Sequence, residues 1–582
     1  MRPLIVSSDV ELSLQDVVEV AVQGRTVALA RSTKRLLAQR RSELKAFVGA
    51  RENKGVKIYD INTGFGHNVH FSVDDAGLEL LQQCLIRSHS SAVGPDADVE
   101  TIRATMLLRA RSLSRGHSSV RPEIVETLLA MLNAGITPAV PRHGSVSASG
   151  DLAPLSHIAL ALLGEGSVYV RGKRKNAAAA LGAAGIKKLT LGMKEGLALN
   201  NGVQYSTALG ILAAAKFDAL LKTAAITTAL STQVMLGADT PFREDLHRLR
   251  PHAGAQRVAG WIFALMKNSP LRDAHQPHDI DGELQDPYNI RCAAQILGTC
   301  AELLDRARAT FRIEANSVTD NPIALPFRPG ADGKLERFAG QYVDIVSGGH
   351  FHGMPVAVDL YGLVQASAIV ATLVNLRCAR FVDASRNKGL GSDLKWPGDL
   401  DRTMPAGKTH PKHEELKRRQ SVSSALMIPE YATASLANAI WGLAMPSHLF
   451  SIPTDAGQED HVSMAANVGL RLHDALARLA DALAIELAFG YQAAMIRREM
   501  RGIPSRAPVD REKSGGKRRE WIPLKAAECE LSPVSEEVLD EIGKHFKVVT
   551  QDRSLSGELA VLAREVLEGS FVRRAERAGM RF

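Results

Sequence analysis

Cysteine is scarce in this chain: five residues in 582, at positions 84, 292, 300, 378 and 529, with no Cys-x-x-Cys pair. That scatter excludes a disulfide framework and a cysteine-built zinc site, and it suits a reducing compartment. Aromatic residues make up only 5%, and 71 basic against 63 acidic residues leave a net charge of +8. Both values are a weak basis for a nucleic-acid partner at this length. Long hydrophobic runs are also missing. The most apolar stretch, Gly196–Gly237, is broken by Lys216, Asp218 and Lys222, which reads as buried helix and not as a membrane span. The opening residues MRPLIVSSDVELSLQDV hold no sustained apolar core, so no signal peptide is expected. The resulting expectation is a cytoplasmic protein with neither nucleic acid nor membrane as partner.

What is present is helical. Hydrophobic residues at 45% and charged residues at 23% are ordinary globular values. Pro122 opens RPEIVETLLAMLNAG in a favoured first-turn position, and Gly135 stands where the helix should stop. Asp151 is placed to cap LAPLSHIALALLGEG, with Gly164 as its end. GSVYVRGKRK, from Gly166 to Lys175, reads as a small hairpin. Helical spacing recurs over Glu195–Ala315, Val356–Arg380, Ser421–Leu443 and Met464–Met500. Asp383–Gln420 and Gly502–Arg519 are Gly-containing, basic and irregular, and are expected as solvated loop and linker. The fold class is mainly α, a long helix bundle after a more irregular N-terminal part, with segments expected at 1–198, 199–501 and 502–582.

One stretch breaks the pattern. In HGSVSASGDLAPLSH (143–157), six of the seven residues from Gly144 to Gly150 are Gly, Ala or Ser. Small residues free the backbone, so the Gly150 nitrogen could fold back onto the Ala148 carbonyl. Loss of water there, and then from the Ser149 side chain, would give a ring with an exocyclic alkene. The helix from about Leu152 to Leu163 would direct its positive end at that electrophile. Taken alone, Ala-Ser-Gly is a common tripeptide, and a plain helix-entry loop explains it as well.

Six further segments lie along the chain: YDINTGFG (59–66), KEGLALNNGVQ (194–204), QDPYNIRC (285–292), EANSVTDNP (314–322), SGGHFHGMPVA (347–357) and AGQEDHVSM (456–464). Together with HGSVSASGDLAPLSH they resemble, in order, the motifs of the aromatic amino acid ammonia-lyase and aminomutase family. The resemblance covers most of the chain. It implies a fumarase/aspartase-like helical architecture whose N-terminal domain bears methylideneimidazolone (MIO), formed from Ala148, Ser149 and Gly150.

It also implies roles. An amine is a poor leaving group, and MIO would bond it; a β-hydrogen is barely acidic, and Tyr59 would remove it as an ionised phenol. Arg291 would hold the substrate carboxylate in a bidentate fork. Asn201, Gln285 and Tyr288 would complete the hydrogen-bond set, with Phe351 an aromatic position near the site. Family members are homotetramers, and the loops carrying Tyr59, Asn201 and Phe351 are expected to converge only across subunits.

His89, Met427 and Glu459 match the positions that line the side-chain pocket of the histidine-directed enzymes. A histidine and a carboxylate can serve both imidazole nitrogens, whereas a buried carboxylate against a bare phenyl ring is costly. L-Histidine is therefore the expected small-molecule substrate, converted to trans-urocanate, a step of histidine catabolism. A tyrosine-directed lyase or aminomutase stays open. His350 stands where the family has Asn, Gly353-Met354 where histidine enzymes have Ala-Glu, and the RSHS segment resembles tyrosine aminomutases. The pairs His350/His352 and His410/His413 join no further ligands, so no metal is expected.

Overall fold

A computed structural model describes residues 1–50, 75–274, 285–329, 335–337, 344–396, 413–500 and 524–582. The chain is mainly α, as expected, and its strands form short two- and three-stranded sheets. Compactness in space sorts it into two units of three segments each. The first is Met1–Ala214, Arg306–Tyr361 and Pro446–Arg471; the second is Ala215–Asp305, Gly362–Met445 and Leu472–Phe582.

In the first unit, local signals set the early helices. Leu14–Ala21 opens on a reciprocal capping box between Ser13 and Asp16. Pro122–Asn133 starts at its proline, and Gly135 at φ +63° follows its end. The Val99–Ser114 helix is buried from Thr101 onward, Arg103 included. Arg103 is tolerated because its guanidinium donates to the carbonyls of Val20, Ala21 and Leu132 at 2.8–3.1 Å. Those carbonyls sit at the C-terminal ends of two helices, where a cation opposes the negative dipole end.

The expected hairpin is Ser167–Val170 against Lys173–Asn176, with Ile136–Pro138 added on the other edge of Ser167–Val170. Its two-residue turn, Arg171 and Gly172, has positive φ at both positions, the twist that suits a tight hairpin. A second pairing matters more for function. Val93–Asp96 runs antiparallel to Pro141–His143, with Val93 opposite His143. This ties the end of the Asp75–His89 helix to the start of the Gly/Ser/Ala loop.

In the second unit, Arg377 and Glu486 form a fully buried ion pair. Glu486 also accepts from Ser231 Oγ (3.2 Å), and Arg377 Nη1 donates to the Asn289 carbonyl (3.2 Å). Phe381 and Phe489 pack edge to face nearby, with ring centroids 5.8 Å apart. Removing one partner of such a pair costs about 3–5 kcal/mol, because a bare charge stays buried.

Two expectations change here. The continuous helix over Ser421–Leu443 is two helices, His413–Val422 and Met427–Leu443. The break occurs because Asp552 captures the chain: Ser423 Oγ and the Ser424 amide donate to its carboxylate at 2.6 and 2.7 Å. Asp383–Gln420 is not all loop, since it is helical from His413 onward, and Gly502–Arg519 lies outside the described residues. Among the described residues two helices, Met354–Val382 and Ala465–Glu499, are long and apolar enough to cross a membrane. Their apolar windows are 67% and 83% buried within the protein, which is the pattern of core helices.

Candidate active site

The small-residue loop is held rigidly. Gly150 (φ +75°) and Gly202 (φ +147°) lie side by side, and the Asp151 amide donates to the Gly202 carbonyl at 2.7 Å. A Cβ on Gly150 would stand 2.3 Å from the Gly202 oxygen; one on Gly202 would meet Gln204 Oε1 at 2.5 Å and Arg109 Nη1 at 2.6 Å. Only glycine permits both the dihedral and the approach.

Asp151 does not cap the helix that follows, contrary to expectation; the Leu152–Leu162 helix has no side-chain cap. Its fully buried carboxylate instead accepts from Ser145 Oγ (2.8 Å), Ser147 Oγ (2.7 Å), Ser206 Oγ (2.7 Å) and the Ser206 amide (2.8 Å). Burial pushes this carboxyl up, while the Ser206 amide and the three hydroxyls oppose that rise. The serines of the loop are thus clamps around a buried acceptor, and a helix cap gives way because four donors satisfy the carboxylate better.

Two distant motifs are stitched onto the same loop. The Ser147 carbonyl accepts from Ser463 Oγ (2.9 Å) and the Gly353 amide (3.3 Å), and the Val146 carbonyl accepts from the Met464 amide (2.9 Å). Gly353 has no room for a side chain, since a Cβ would lie 2.7 Å from Ser463 Oγ.

Around Ser149 the expected groups converge. Ser149 Oγ donates to Glu459 Oε1 in a short contact. The Ser149 carbonyl accepts from Asn201 Nδ2 at 2.7 Å, and the buried Asn201 Oδ1 has no hydrogen-bond partner among the described residues. Glu459 Oε2 accepts from Thr454 Oγ1 at 2.7 Å, across a small backbone bridge between the two residues. His89 is half-buried, with Ser88 Oγ 3.0 Å from its Nδ1. Burial lowers its pKa, and the Leu85 carbonyl, Glu459 and Asp455 oppose that fall. Its imidazole is therefore neutral at pH 7 and shares the field of Glu459. Phe351 is half-buried on the segment that Gly353 anchors. Asn201 reaches the loop within its own chain, because the Gly150–Gly202 contact brings its backbone alongside.

The second unit holds the remaining candidates. Arg291 stacks on Tyr288, 4.7 Å from the ring centroid, and its Nε donates to the Asp286 carbonyl at 3.0 Å. Its Nη groups make no hydrogen bond among the described residues, which leaves a two-pronged donor for a carboxylate. Asp286 is fixed in turn by the Ala238 amide at 2.7 Å. Gln285 and Tyr288 are exposed, and Met427 is half-buried at the start of its helix. Tyr59 and His410 lie outside the described residues. His352 and His461 approach at 3.3 Å, and no group of three or more candidate ligands for a metal occurs among the described residues.

Sequence reasoning missed the support beneath Asn201. Arg109, wholly buried, donates from Nη1 to the Asn201 carbonyl and to Gln204 Oε1, both at 2.8 Å. Burial draws its pKa down to about 10, with Asp320 opposing. Asp320 itself pairs with buried Lys194 at 3.0 Å and accepts from Ser118 Oγ at 2.9 Å. The available signal was a pair of opposite charges carried by two of the motifs: the lysine of KEGLALNNGVQ and the aspartate of EANSVTDNP.

This is the fold and the loop of an enzyme that acts on amino acids. The chain belongs to the aromatic amino acid lyase family, whose model matches residues 12–514. It is therefore an enzyme of the carbon–nitrogen lyase class. It is 34% identical over 567 residues to a histidine ammonia-lyase of Sorangium cellulosum (strain So ce56), covering 97% of this chain and 98% of that one. A histidine ammonia-lyase of Gloeobacter violaceus (strain ATCC 29082 / PCC 7421) is 39% identical over 486 residues, 84% of this chain and 86% of its own. The crystal structure of tyrosine aminomutase from Streptomyces globisporus superposes with a TM-score of 0.80 at 28% identity, covering 99% of this chain and 98% of that one.

Proposed function

We propose that the protein is a histidine ammonia-lyase, eliminating ammonia from L-histidine to give trans-urocanate, with MIO formed from Ala148, Ser149 and Gly150. The observation that carries the substrate is the Glu459 carboxylate at Ser149, with the half-buried His89 within its electrostatic influence. An imidazole ring offers an N–H to the carboxylate and a second nitrogen to the histidine; a phenyl ring would leave both unpaired.

The residues present fit the prosthetic group. Gly150 already adopts the positive φ and the close backbone approach that a folded-back tripeptide needs, and Asn201 already holds the Ser149 carbonyl. MIO, once formed, supplies an electrophilic alkene that converts the amine into a better leaving group. Asn201 Oδ1, buried and unpartnered, offers an acceptor to an N–H arriving at Ser149. Arg291 anchors the substrate carboxylate through its Nη pair, with Tyr288 steadying the guanidinium by stacking. Gln285 adds a polar contact at that end, while Met427 and Phe351 shape the ring pocket. Tyr59 takes the β-proton. We further infer a homotetramer with shared sites, a cytoplasmic location, and the chain order of an N-terminal MIO domain to 198, a bundle to 501 and a tail.

The test is purified enzyme with L-histidine, L-tyrosine and L-phenylalanine in parallel, following the acrylate and any β-amino acid. Histidine should be turned over in strong preference, with urocanate accumulating. Preference for tyrosine overturns the pocket assignment, and accumulation of a β-amino acid moves the chain to the aminomutases. The second reading, a tyrosine-directed enzyme, is favoured by the likeness to tyrosine aminomutase, since a pocket histidine can also meet a phenol.

A further inference from the structure

We propose that Thr454 is a positioning residue for ring selection: its hydroxyl fixes the Glu459 carboxylate so that one oxygen is presented to the substrate ring. This rests on the reading of Glu459 as the imidazole acceptor, and it names the group that aims that acceptor.

Thr454 and Glu459, both half-buried, close a turn whose tip is exposed. The Thr454 amide donates to the Glu459 carbonyl at 3.0 Å, and the Glu459 amide to the Thr454 carbonyl at 3.3 Å. Between them Asp455, Ala456 and Gly457 follow one another at φ +49°, +55° and +87°. Asp455 and Ala456 are not glycine, and such backbone persists only where its surroundings dictate it. The exit of the turn is tied to the tripeptide itself, because Val462 packs with Ala148 and Met464. Ser451 Oγ joins entry to exit: it accepts from the Val462 amide at 2.9 Å and donates to the Asp460 carbonyl at 3.3 Å. The backbone of Glu459 is thereby placed. Its side chain is not, since a glutamate has a flexible stem and a broad final torsion.

Two contacts hold the carboxylate. Oε1 accepts from the Ser149 hydroxyl, and Oε2 accepts from Thr454 Oγ1 at 2.7 Å. The first does not outlast maturation. The Ser149 Cβ–Oγ bond breaks when the tripeptide becomes MIO, and the oxygen leaves as water with its own hydrogen and that of Ser149 Cα. Oε1 is then free to accept an imidazole N–H. Thr454 is left as the carboxylate's hydrogen-bond donor among the described residues. A β-branched side chain suits this task, because its χ1 is restricted. Asp455 and Glu459 both act electrostatically on His89, so a swing of the carboxylate would also change its relation to that imidazole.

The experiment is a double-mutant cycle on urocanate formation from L-histidine by the full-length enzyme, with Thr454→Val, Glu459→Gln and the pair. Thr454→Val keeps the shape and loses the hydroxyl, and it should lower kcat/KM by about tenfold, the effect of one hydrogen bond to a charged group. Thr454→Ser should stay within about twofold of the wild type, and Thr454→Ala should match Thr454→Val. All variants should keep the mass deficit of the mature chain and a wild-type melting temperature. In the Glu459→Gln background the valine should cost less than about twofold further, because the group it aims is gone. Wild-type turnover by Thr454→Val overturns the proposal, as do equal losses in the serine and valine variants, or losses that simply multiply in the pair. Wild-type turnover by Glu459→Gln overturns the substrate reading itself, and this proposal with it.

Discussion

Replacing Gly150 by alanine separates a built prosthetic-group site from an ordinary helix-entry loop. At φ +75° an L-residue carries roughly 1–2 kcal/mol of strain. The new Cβ would stand 2.3 Å from the Gly202 oxygen and 2.4 Å from its nitrogen, so the two backbones must part. Parting breaks the 2.7 Å bond from the Asp151 amide to the Gly202 carbonyl, worth about another 1 kcal/mol. The folded-back geometry is then disfavoured by at least ~2–3 kcal/mol, about two orders of magnitude in population. The readout is intact mass: wild-type chains should weigh two waters less than the sequence, and Gly150→Ala chains should keep the full mass and lose turnover. Gly135→Ala is the control, because Gly135 has φ +63° but a Cβ added there would meet nothing within 4 Å. It should keep both the mass deficit and the activity. A Gly150→Ala enzyme that is still two waters lighter and fully active would refute the reasoning, and a cooperative melt near wild type would exclude global unfolding as the cause.

Glu459→Gln should slow histidine turnover by roughly 10–150-fold, the worth of a hydrogen bond to a charged group, while the mass deficit persists; full activity would show that the carboxylate does not select imidazole. Arg377→Met should lower unfolding stability by about 3–5 kcal/mol in denaturant titrations, because Glu486 is left buried and unpaired. The pKa values of His89, His117, His157 and His448 are all pulled below 6.5, chiefly by burial. The unfolded chain therefore takes up protons before the fold does, so stability is whole above pH 6.5 and is lost as pH falls through the folded values. Melting temperature should drop on acidification towards about pH 5, and His117→Asn should flatten that slope. If catalytic sites are shared, mixing inactive Tyr59→Phe and Arg291→Ala chains should restore turnover.

The helical class, the hairpin and the run of long helices were legible because they rest on local signals. Pro122, Gly135 and Gly164 punctuate helices wherever the surrounding chain lies. The break before Met427 was hidden, since it depends on Asp552, well over a hundred residues away, capturing Ser423 and Ser424. The same distinction runs through the site. Ala148–Gly150, Asn201 and Glu459 could be picked from their motifs, and they converge. Asp151 could not be read correctly, because a carboxylate before a helix looks like a cap until Ser206 supplies a better set of donors. Arg109 was invisible for a similar reason: within LLRARSLSR, nothing marks the one arginine that faces the Asn201 carbonyl.

On the proposed reading, that division also separates what holds the loop from what would choose the substrate. Asp151 with its three serines, Gly202 and Arg109 hold backbone: they fix where Ser149 and Asn201 sit and make no use of a substrate ring. Glu459 reaches Ser149 by its side chain alone, from a six-residue bridge, and His89, at a helix end, lies within its electrostatic influence. Changing either leaves every hydrogen bond of the Asp151 clamp in place. Ring specificity can therefore shift without disturbing the geometry on which loop closure depends. On that reading, relatives with one helical fold and one loop could differ in the amino acid they take, and the Glu459→Gln assay would decide whether the carboxylate outweighs likeness of fold to tyrosine aminomutase.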